Sequence, residues 1–367
     1  ENKIIGYTTR NSGGVPSNFK NYFVITFDKS FTYKATVGDS EIRKNELEAD
    51  ENHAGAIIGF KTSRGEKVLA RVASSFISYE QAELNLKELG NNTFDQLAQQ
   101  GRSEWNDVLG RITVEDDNID NLRTFYSCLY RSVLFPRAFY EYDANGQIMH
   151  YSPFNGKVLP GYMYADTGFW DTFRCLFPFL NMVYPSESEK MQEWLINAYK
   201  ESDYLPEWSS PGHRNIMIGQ NSSSVVADAY LKGIKSSDPE SLWKAVTHGA
   251  NSHLEKTASG RVGFDYYNKY GYIPYNVEIG QNVARTLEYA YNDWSIYQFG
   301  KALGKSETEL AQYKQHAMNY KNVYNPKNKL MAGKDDKGVF NPDFKPEDWS
   351  REFCEGNSWH WSFCVFH

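Results

Sequence analysis

The chain has 367 residues, which exceeds a typical single domain and predicts two domains with a large core. Its net charge of −7 argues against nucleic acid or an anionic membrane as a partner, because both favour a basic face. No run of residues is long and apolar enough to span a bilayer.

Residues 1–79 predict an antiparallel β-sandwich domain. The segments 21–27, 31–37, 53–60 and 68–77 are short, rich in β-branched and aromatic residues, and separated by turn residues. Because a closed sandwich needs more strands than these, we expect this domain to be incomplete at its N-terminal end. A scaffold is the alternative role for the region.

Residues 80–113 predict linker helices between two domains. Apolar residues recur at helical spacing in Tyr79–Gly90 and in Thr93–Leu109. Thr93 followed by Gln96 fits a capping box at the start of the second helix.

Residues 114–367 predict a succession of helices bounded by Pro, Gly and capping residues. The expected helices are Ile119–Phe135, Thr167–Val183, one capped by Ser186 with Glu189, Ser222–Leu231, one starting at Asp238-Pro239, Asn282–Leu303 and one capped by Ser306 with Glu309. No alternating strand pattern intervenes, which disfavours a doubly wound sheet or a TIM barrel. The lack of a fixed-period repeat disfavours a solenoid, and a bundle or an (α/α) toroid remains.

Long aromatic loops separate these helices. They cover Phe139–Gly168, Tyr204–Asn221 and Gly260–Gly280. Long loops in a compact helical domain are usually functional, so we expect these three to gather at one end of the helices.

The four cysteines, Cys128, Cys175, Cys354 and Cys364, show no CxxC or Cys/His spacing of a zinc site. A Cys354–Cys364 bridge is disfavoured, since on one helix these residues would lie about 15 Å apart. We therefore expect free, buried thiols.

The segment 355–367 brings one carboxylate, Glu355, together with two imidazoles and four aromatic rings. A carboxylic acid beside flat rings suits sugar chemistry, because a pyranose stacks on an aromatic face while the acid protonates a glycosidic oxygen. A core helix is the alternative, since Trp359, Phe363 and Phe366 recur at helical spacing.

A second candidate constellation is Trp170-Asp171 at the start of an apolar run. Trp170 is suited to stacking on a sugar ring, and Asp171 to accepting hydrogen bonds from two vicinal hydroxyls. The structural alternative is that Asp171 pairs with Arg174, three residues later, and braces the start of a helix.

Two further stretches are less specific. Trp208 and His213 lie in a loop as candidate ligand contacts, whereas Asp228 lies in a helix as a brace between neighbours. In Glu278–Trp294 the charged side chains are spaced for ion pairs on a helix surface, which favours a structural role; they are Arg285, Glu288 and Asp293.

The strings 168–174, 225–233, 285–294 and 355–359 resemble glycoside hydrolase family 92, as does 76–86 at the passage into the linker helices. The family contains exo-acting, calcium-dependent α-mannosidases, many from glycan-degrading gut bacteria. The resemblance implies cleavage of terminal mannose, with an α-1,2 linkage expected, from glycans such as N-glycans. It also implies a periplasmic or extracellular location, although no signal peptide opens the chain.

The resemblance implies a β-sandwich followed by an (α/α)6 toroid, an α+β multidomain fold, and an inverting mechanism. Glu355 matches the family's general acid, and Trp170 and Asp171 match the pair that grips mannose in the −1 subsite. Further residues are candidate substrate contacts: Trp208, His213, Asn357 and Trp359.

The resemblance has departures. The family's general base and its calcium and His-rich site lie C-terminal to the acid, in segments that do not occur here, and Asp335-Asp336 reads as a turn. We therefore expect a chain truncated at both ends, with no general base and no metal ligand of its own, that a second chain would complete. The alternative functions are a carbohydrate-binding or non-catalytic scaffold, and an (α/α)6 glycosidase of other sugar specificity.

Overall fold

The computed structural model describes residues 2–39 and 41–367 and divides into two compact units. The first consists of Glu1–Arg10, Asn18–Gly101 and Glu141–Gln147, and the second of Asn11–Ser17, Arg102–Tyr140 and Ile148–His367. The expected boundaries at residues 79 and 113 do not appear in this division, because the linker segment is shared between the two units.

Most of the strand residues lie in the first unit and most of the helices in the second. The strands are β1 (Lys3–Thr8), β2 (Asn21–Phe27), β3 (Tyr33–Val37), β4 (Ile42–Lys44), β5 (Gly55–Gly59), β6 (Ala70–Ser75), β7 (Arg137–Ala138), β8 (Glu141–Tyr142), β9 (Ile148–Tyr151), β10 (Val158–Pro160), β11 (Tyr164–Ala165), β12 (Thr167–Gly168), β13 (Trp208–Ser209), β14 (Tyr324–Asn325) and β15 (Leu330–Met331). The α-helices are α1 (Tyr79–Leu86), α2 (Phe94–Leu109), α3 (Ile119–Ser132), α4 (Phe169–Thr172), α5 (Leu176–Val183), α6 (Pro185–Ser202), α7 (Ser222–Leu231), α8 (Pro239–Ala250), α9 (Phe264–Tyr270), α10 (Asn282–Ala302), α11 (Glu307–His316) and α12 (Ser358–Trp361).

The first unit contains antiparallel sheets in the orders β1–β2–β6 and β4–β3–β5. The strands predicted at 21–27, 31–37, 53–60 and 68–77 are confirmed with small differences at their ends, whereas β1 and β4 were not predicted. Helix α1 packs against β2 and β6, where Ala82 and Val24 are buried. The first unit is therefore built on an antiparallel sheet with a helix covering it.

The second unit is organised around α10, which packs against α7, α8 and α11. Its long buried face includes Val283, Ala284, Leu287, Ala290 and Ile296. The helix predicted at Ser222–Leu231 is confirmed, and that predicted at Asn282–Leu303 ends one residue early.

Helix caps show where local chemistry decided the structure. Asp238 accepts a hydrogen bond from Ser241 N at 3.0 Å, and Ser306 forms the predicted capping box with Glu309. The capping box of Thr93 with Gln96 is also confirmed. The cap at Ser186 is wrong, since α6 begins one residue earlier, at Pro185, whose fixed φ suits the first helical position.

The helix predicted at Thr167–Val183 is divided. Thr167–Gly168 instead forms β12 and pairs with β13 at Trp208 and Ser209. A Cβ on Gly168 would lie 2.1 Å from the Trp208 ring, so only glycine permits this approach. The pairing shortens the next helix, α4, to one turn that carries Trp170 and Asp171.

The expectation that three loops gather is confirmed for the middle loop, which contacts both others. Asp166 N donates to Ser209 O at 2.8 Å, and Arg261 Nε donates to Gln220 Oε1 at 2.8 Å. Hydrogen bonds of the middle loop therefore link it to each of the other two loops.

The C-terminal segment is not a core helix. Helix α12 is a single turn, and Trp359, Phe363 and Phe366 are 56%, 83% and 53% exposed. The buried ring is Trp361, at 4% exposure, because its indole is held against the backbone of Cys354.

All four cysteines lie in the described part of the chain and are free, as expected. Only Cys354 is buried, so the expectation of burial is wrong for Cys128 and Cys175, which are exposed. Across residues 2–39 and 41–367, no helix has both the length and the apolar character needed to cross a membrane.

Candidate active site

The segment that carries Glu355 is fixed by the residue three positions before it. The buried carboxylate of Glu352 accepts hydrogen bonds from Gly333 N at 2.9 Å and from Asn341 Nδ2 at 2.8 Å. Its backbone carbonyl accepts from Val283 N and Ala284 N, which are free donors at the first turn of α10. This segment is therefore anchored to the central helix of the second unit.

Glu355 lies in a tight turn between two held carbonyls. Trp361 Nε1 donates to Cys354 O at 2.9 Å, and Ser350 N donates to Gly356 O at 2.8 Å. Glu355 itself has φ of 45°, a left-handed conformation that costs a non-glycine residue on the order of 1 kcal/mol or more. The exposed carboxylate thus projects from a strained turn that its neighbours hold in place.

Trp170 and Asp171 face this turn from α4. The Trp170 ring stacks on Trp361, with centroids 6.5 Å apart and planes at 26°. The pKa of Asp171 is raised by partial burial and by the negative charge of Glu355, and Arg174 acts in the opposite direction. Glu355 is therefore close enough for its charge to act on Asp171, although the two residues are far apart in sequence.

Arg174 does not form the predicted ion pair with Asp171 among the described residues. Its Nη2 lies 3.2 Å from Oε1 of Glu288 on α10. Its guanidinium also lies over the rings of Phe173, Trp170 and Phe366, at 4.6, 5.2 and 5.5 Å from their centroids. Arg174 thus links the turn that carries Trp170 and Asp171 to the central helix.

The predicted surface ion pairs of α10 are wrong. Glu288 and Asp293 are 4% and 0% exposed, because neighbouring helices enclose this helix. Each pairs with an arginine on another element, Asp293 with Arg261 at 2.9 Å between Oδ1 and Nη1. Spacing along one helix did not reveal these long-range partners.

Trp208 and His213, the two candidate ligand contacts in the middle loop, differ in what they contact. The Trp208 ring packs on Gly168, the residue before α4. His213 lies between the hydroxyls of Ser202 and Ser259, each 2.9 Å from a ring nitrogen, and burial lowers its pKa to about 4. His213 also borders an open cleft of 490 Å³ with Gly14, Arg214, Asn215 and Lys256.

Asn357 and Trp359 follow Glu355, Asn357 as the N-cap of α12 and Trp359 within that helix. The Asn357 side chain caps the helix by accepting from Trp359 N at 3.1 Å and His360 N at 3.4 Å. The Trp359 ring is exposed and points its large apolar surface to solvent. Asp228 accepts from Asn181 Nδ2 at 2.8 Å and pairs with Lys232, as expected of a brace.

Family models match both parts of this chain. Residues 81–367 match the glycosyl hydrolase family 92 catalytic domain, and residues 1–75 match the family's N-terminal domain. The chain belongs to glycoside hydrolase family 92. The α+β class, with an antiparallel N-terminal domain followed by a helical domain, is thereby confirmed.

Known family 92 proteins resemble the chain along nearly all of its length. A solved inverting mannosidase from Bacteroides thetaiotaomicron is 44% identical, with a TM-score of 0.97 over 100% of this chain and 50% of that one. A solved α-mannosidase of the same species in complex with mannoimidazole is 28% identical, with a TM-score of 0.86 over 99% of this chain and 49% of that one.

A curated relative, an uncharacterized secreted glycosidase from Arthroderma benhamiae, is 28% identical over 316 residues. The match covers 81% of this family 92 chain and 36% of the relative. The chain thus spans half or less of the length of these relatives.

Sequence reasoning missed several residues of this candidate site. Trp361 was counted among the aromatic rings of the segment, yet its role as the buried partner of Trp170 follows only from the fold. Glu352 gave no signal beyond its position three residues before Glu355. Arg174 and Glu288 were noted separately, and nothing in their spacing joined them.

The described residues do not form a calcium site. Within the described part of the chain, no group of three or more His, Cys, Asp or Glu side chains is placed to hold a metal ion. Asp171 and Glu355 together offer at most four carboxylate oxygens, fewer than the six to eight oxygen ligands of a calcium ion. No catalytic step is therefore derived through a metal.

Proposed function

We propose that the protein containing these residues hydrolyses terminal α-mannosidic linkages with inversion, and that Glu355 is the general acid. Membership of family 92 and the 44% identity to an inverting mannosidase support the reaction class. The observation that carries the assignment is the placement of Glu355 beside Trp170 and Asp171, residues on a separate turn of the second unit.

In this proposal each residue has a distinct task. Glu355 stands on a fixed turn and donates its proton to the glycosidic oxygen as that bond breaks. A water molecule attacks the anomeric carbon from the opposite face and gives its proton to a general base that is not one of these residues. Ionised Asp171 accepts hydrogen bonds from sugar hydroxyls, and Trp170 offers its ring to the C–H face of mannose. Asp171 lies near Glu355, so the proposed site combines a carboxylate that binds the sugar, Asp171, with one that transfers a proton, Glu355.

Finer properties belong to the same proposal. We infer an α-1,2 linkage in glycans such as N-glycans, calcium dependence of the complete enzyme, and a periplasmic or extracellular location. The secreted glycosidase relative supports export. Trp208, His213, Asn357 and Trp359 are proposed as further substrate contacts, with Trp359 and the cleft beside His213 accessible to a glycan.

The stereochemistry of the product tests this function. The full-length protein is incubated with an aryl α-mannoside, and the anomeric proton of released mannose is followed by NMR from the first minutes. We expect β-mannose to appear first and to convert slowly to the equilibrium mixture. Release of α-mannose first contradicts inversion, and binding without any hydrolysis favours the carbohydrate-binding alternative.

A further inference from the structure

Glu288 is a carboxylate that the proposed mechanism leaves without a task. It is 4% exposed and lies on α10, where an ionised group without compensation is strongly disfavoured. Its Oε1 pairs with Arg174 Nη2 at 3.2 Å, and this contact alone would suffice for an ion pair with a purely structural role. Its second oxygen, Oε2, has no hydrogen-bond partner among the described residues, so the carboxylate is not fully satisfied by the fold.

The indole N–H of Trp170 is an unsatisfied donor in the same cluster. It is buried and bonds to no group in the part of the chain that is described. It belongs to the same cluster as Glu288, because Arg174 contacts both the Trp170 ring, at 5.2 Å from its centroid, and the Glu288 carboxylate, at 3.2 Å. Burial raises the pKa of Glu288, and Arg174, Asn221 and the Trp170 indole act against the rise. A Cβ on Gly219 would lie 2.4 Å from Asn221 Nδ2 and 3.1 Å from Glu288 Oε2, so a glycine makes room for this cluster.

Arg174 carries the influence of Glu288 to the sugar-gripping turn. Its flat guanidinium lies over Trp170 and Phe173, a contact that an arginine makes better than a lysine. An arginine fixed at one end by a buried carboxylate restrains the rings beneath it. Since Asp171 follows Trp170 on a single helical turn, its direction depends on the same restraint.

We propose that Glu288 is a positioning residue for mannose binding, which acts through Arg174 to hold Trp170 and Asp171 in the geometry that grips the sugar. This inference rests on the proposed function. It concerns binding rather than proton transfer, because the Glu355 turn has its own supports in Glu352 and Trp361. Loss of Glu288 therefore weakens sugar binding more than it slows bond cleavage.

The test compares Glu288→Gln and Arg174→Lys with a matched control, Asp293→Asn, in the full-length protein. Asp293 lies on the same helix and is also buried with an arginine partner, yet its partner Arg261 stacks on Tyr267 and Tyr289 instead of Trp170. The measurements are KM and kcat on an aryl α-mannoside, affinity for mannoimidazole by calorimetry, and thermal unfolding.

We expect Glu288→Gln and Arg174→Lys to raise both KM and the Kd of mannoimidazole about tenfold or more, a typical effect of one misplaced contact, with kcat within about threefold. Asp293→Asn should lower the unfolding temperature but leave KM and Kd within about threefold. If Glu288→Gln does not fold, Arg174→Lys decides, because it keeps a charge opposite Glu288 and loses the flat contact.

Unchanged KM and Kd in the folded Glu288 or Arg174 variants overturn the positioning role. An equal rise of KM and Kd in Asp293→Asn also overturns the positioning role, since any buried ion pair of α10 would then have the same effect. A wild-type protein that neither cleaves the mannoside nor binds mannoimidazole overturns the proposed function and, with it, this role. A folded, active wild type with insensitive variants leaves the proposed function standing.

Discussion

At the residue scale, the site depends on the effect that the charge of Glu355 has on Asp171. Burial and the charge of Glu355 raise the pKa of Asp171, and Arg174 opposes this. Asp171 binds sugar hydroxyls best as a carboxylate, which accepts hydrogen bonds on both oxygens, so activity should fall as pH decreases through a pKa that is higher than that of an ordinary aspartate.

Removal of the Glu355 charge should lower the pKa of Asp171. In Glu355→Gln the carboxylate that disfavours ionisation of Asp171 is replaced by a neutral amide of the same shape. The pKa of Asp171 is measured by titration of its ¹³C carboxyl resonance, assigned by loss of the signal in Asp171→Asn. Asp228→Asn is the control, because Asp228 is held by Asn181 and Lys232 and does not act on Asp171. An Asp171 pKa that stays the same or rises in Glu355→Gln would show that the two carboxylates are not coupled.

The candidate site was predictable at the residues whose chemistry is local. Glu355, Trp170 and Asp171 combine residue type and motif, so the sequence points to them directly. The ion pair of Arg174 with Glu288 was not predictable, because α4 and α10 meet only after the chain has folded. The burial of Trp361 was not predictable for the same reason. The helical spacing of Trp359, Phe363 and Phe366 indicated that those rings would be buried instead.

At the element scale, short helices and turns are placed by contacts distant in sequence. Helix α7 was predicted to the residue, since a polar start and Gly233 bound a regular apolar run. The bounds of helix α4 were not predicted, because Thr167 and Gly168 form a strand that pairs with Trp208 and Ser209, and the helix therefore begins only at Phe169. Pairing between strands that are far apart in sequence leaves no periodic signal.

The single turn α12 should control the position of Glu355. Trp361→Phe keeps an aromatic ring against Trp170 but removes the hydrogen bond from Nε1 to Cys354 O. We expect a loss of about 1 kcal/mol in the free energy of unfolding and a severalfold lower kcat, because the Glu355 turn loosens.

Trp243→Phe is the control for Trp361→Phe. Trp243 is also buried, but it packs on Phe299 and Tyr313 at the other end of α10. Its variant should lose stability and keep the kcat of the folded enzyme. Equal kcat in the Trp361 variant and wild type would remove this hydrogen bond from the account of the site.

Burial of Glu207 at the start of α7 should make stability depend on pH. Burial raises the pKa of this carboxyl to about 8, although Ser222 donates to it from its hydroxyl and from its backbone N at 3.1 Å. Below the unfolded pKa both states are protonated. Between that value and about pH 8 only the unfolded state ionises, so stability falls as pH rises through this window, by on the order of a few kcal/mol.

Glu207→Gln should remove this dependence, since the amide stays neutral at every pH. The unfolding temperatures of wild type and variant are compared from pH 5 to pH 8. We expect the unfolding temperature of the variant to increase steadily relative to that of the wild type as pH rises. A constant difference would mean that Glu207 is ionised in the folded protein throughout the range.

At the scale of the whole molecule, the second unit gathers Glu355, Trp170 and Asp171 but no group of metal ligands within its described residues. The strand-rich and helix-rich parts of the chain were predictable from the change of hydrophobic period, which is a property of the sequence alone. The division into units was not, because Asn11–Ser17 joins the second unit and Glu141–Gln147 joins the first.

The 367-residue chain should bind calcium weakly or not at all by itself. The described side chains offer no group of three or more acidic, His or Cys ligands, and calcium takes six to eight oxygen ligands. Calcium is titrated calorimetrically into the chelator-stripped chain, with magnesium as the comparison ion. Stoichiometric micromolar binding would contradict this expectation.

The most direct test of the account is how the loss of Glu355 depends on the leaving group. Full-length wild type and Glu355→Gln are compared on an α-mannobioside, whose sugar leaving group needs a proton, and on 2,4-dinitrophenyl α-mannoside, whose leaving group does not. We predict that kcat/KM of the variant falls by orders of magnitude on the mannobioside and much less on the dinitrophenyl substrate. Near-native turnover of the mannobioside, or an equal loss on both substrates, would contradict the assignment of Glu355 as the general acid.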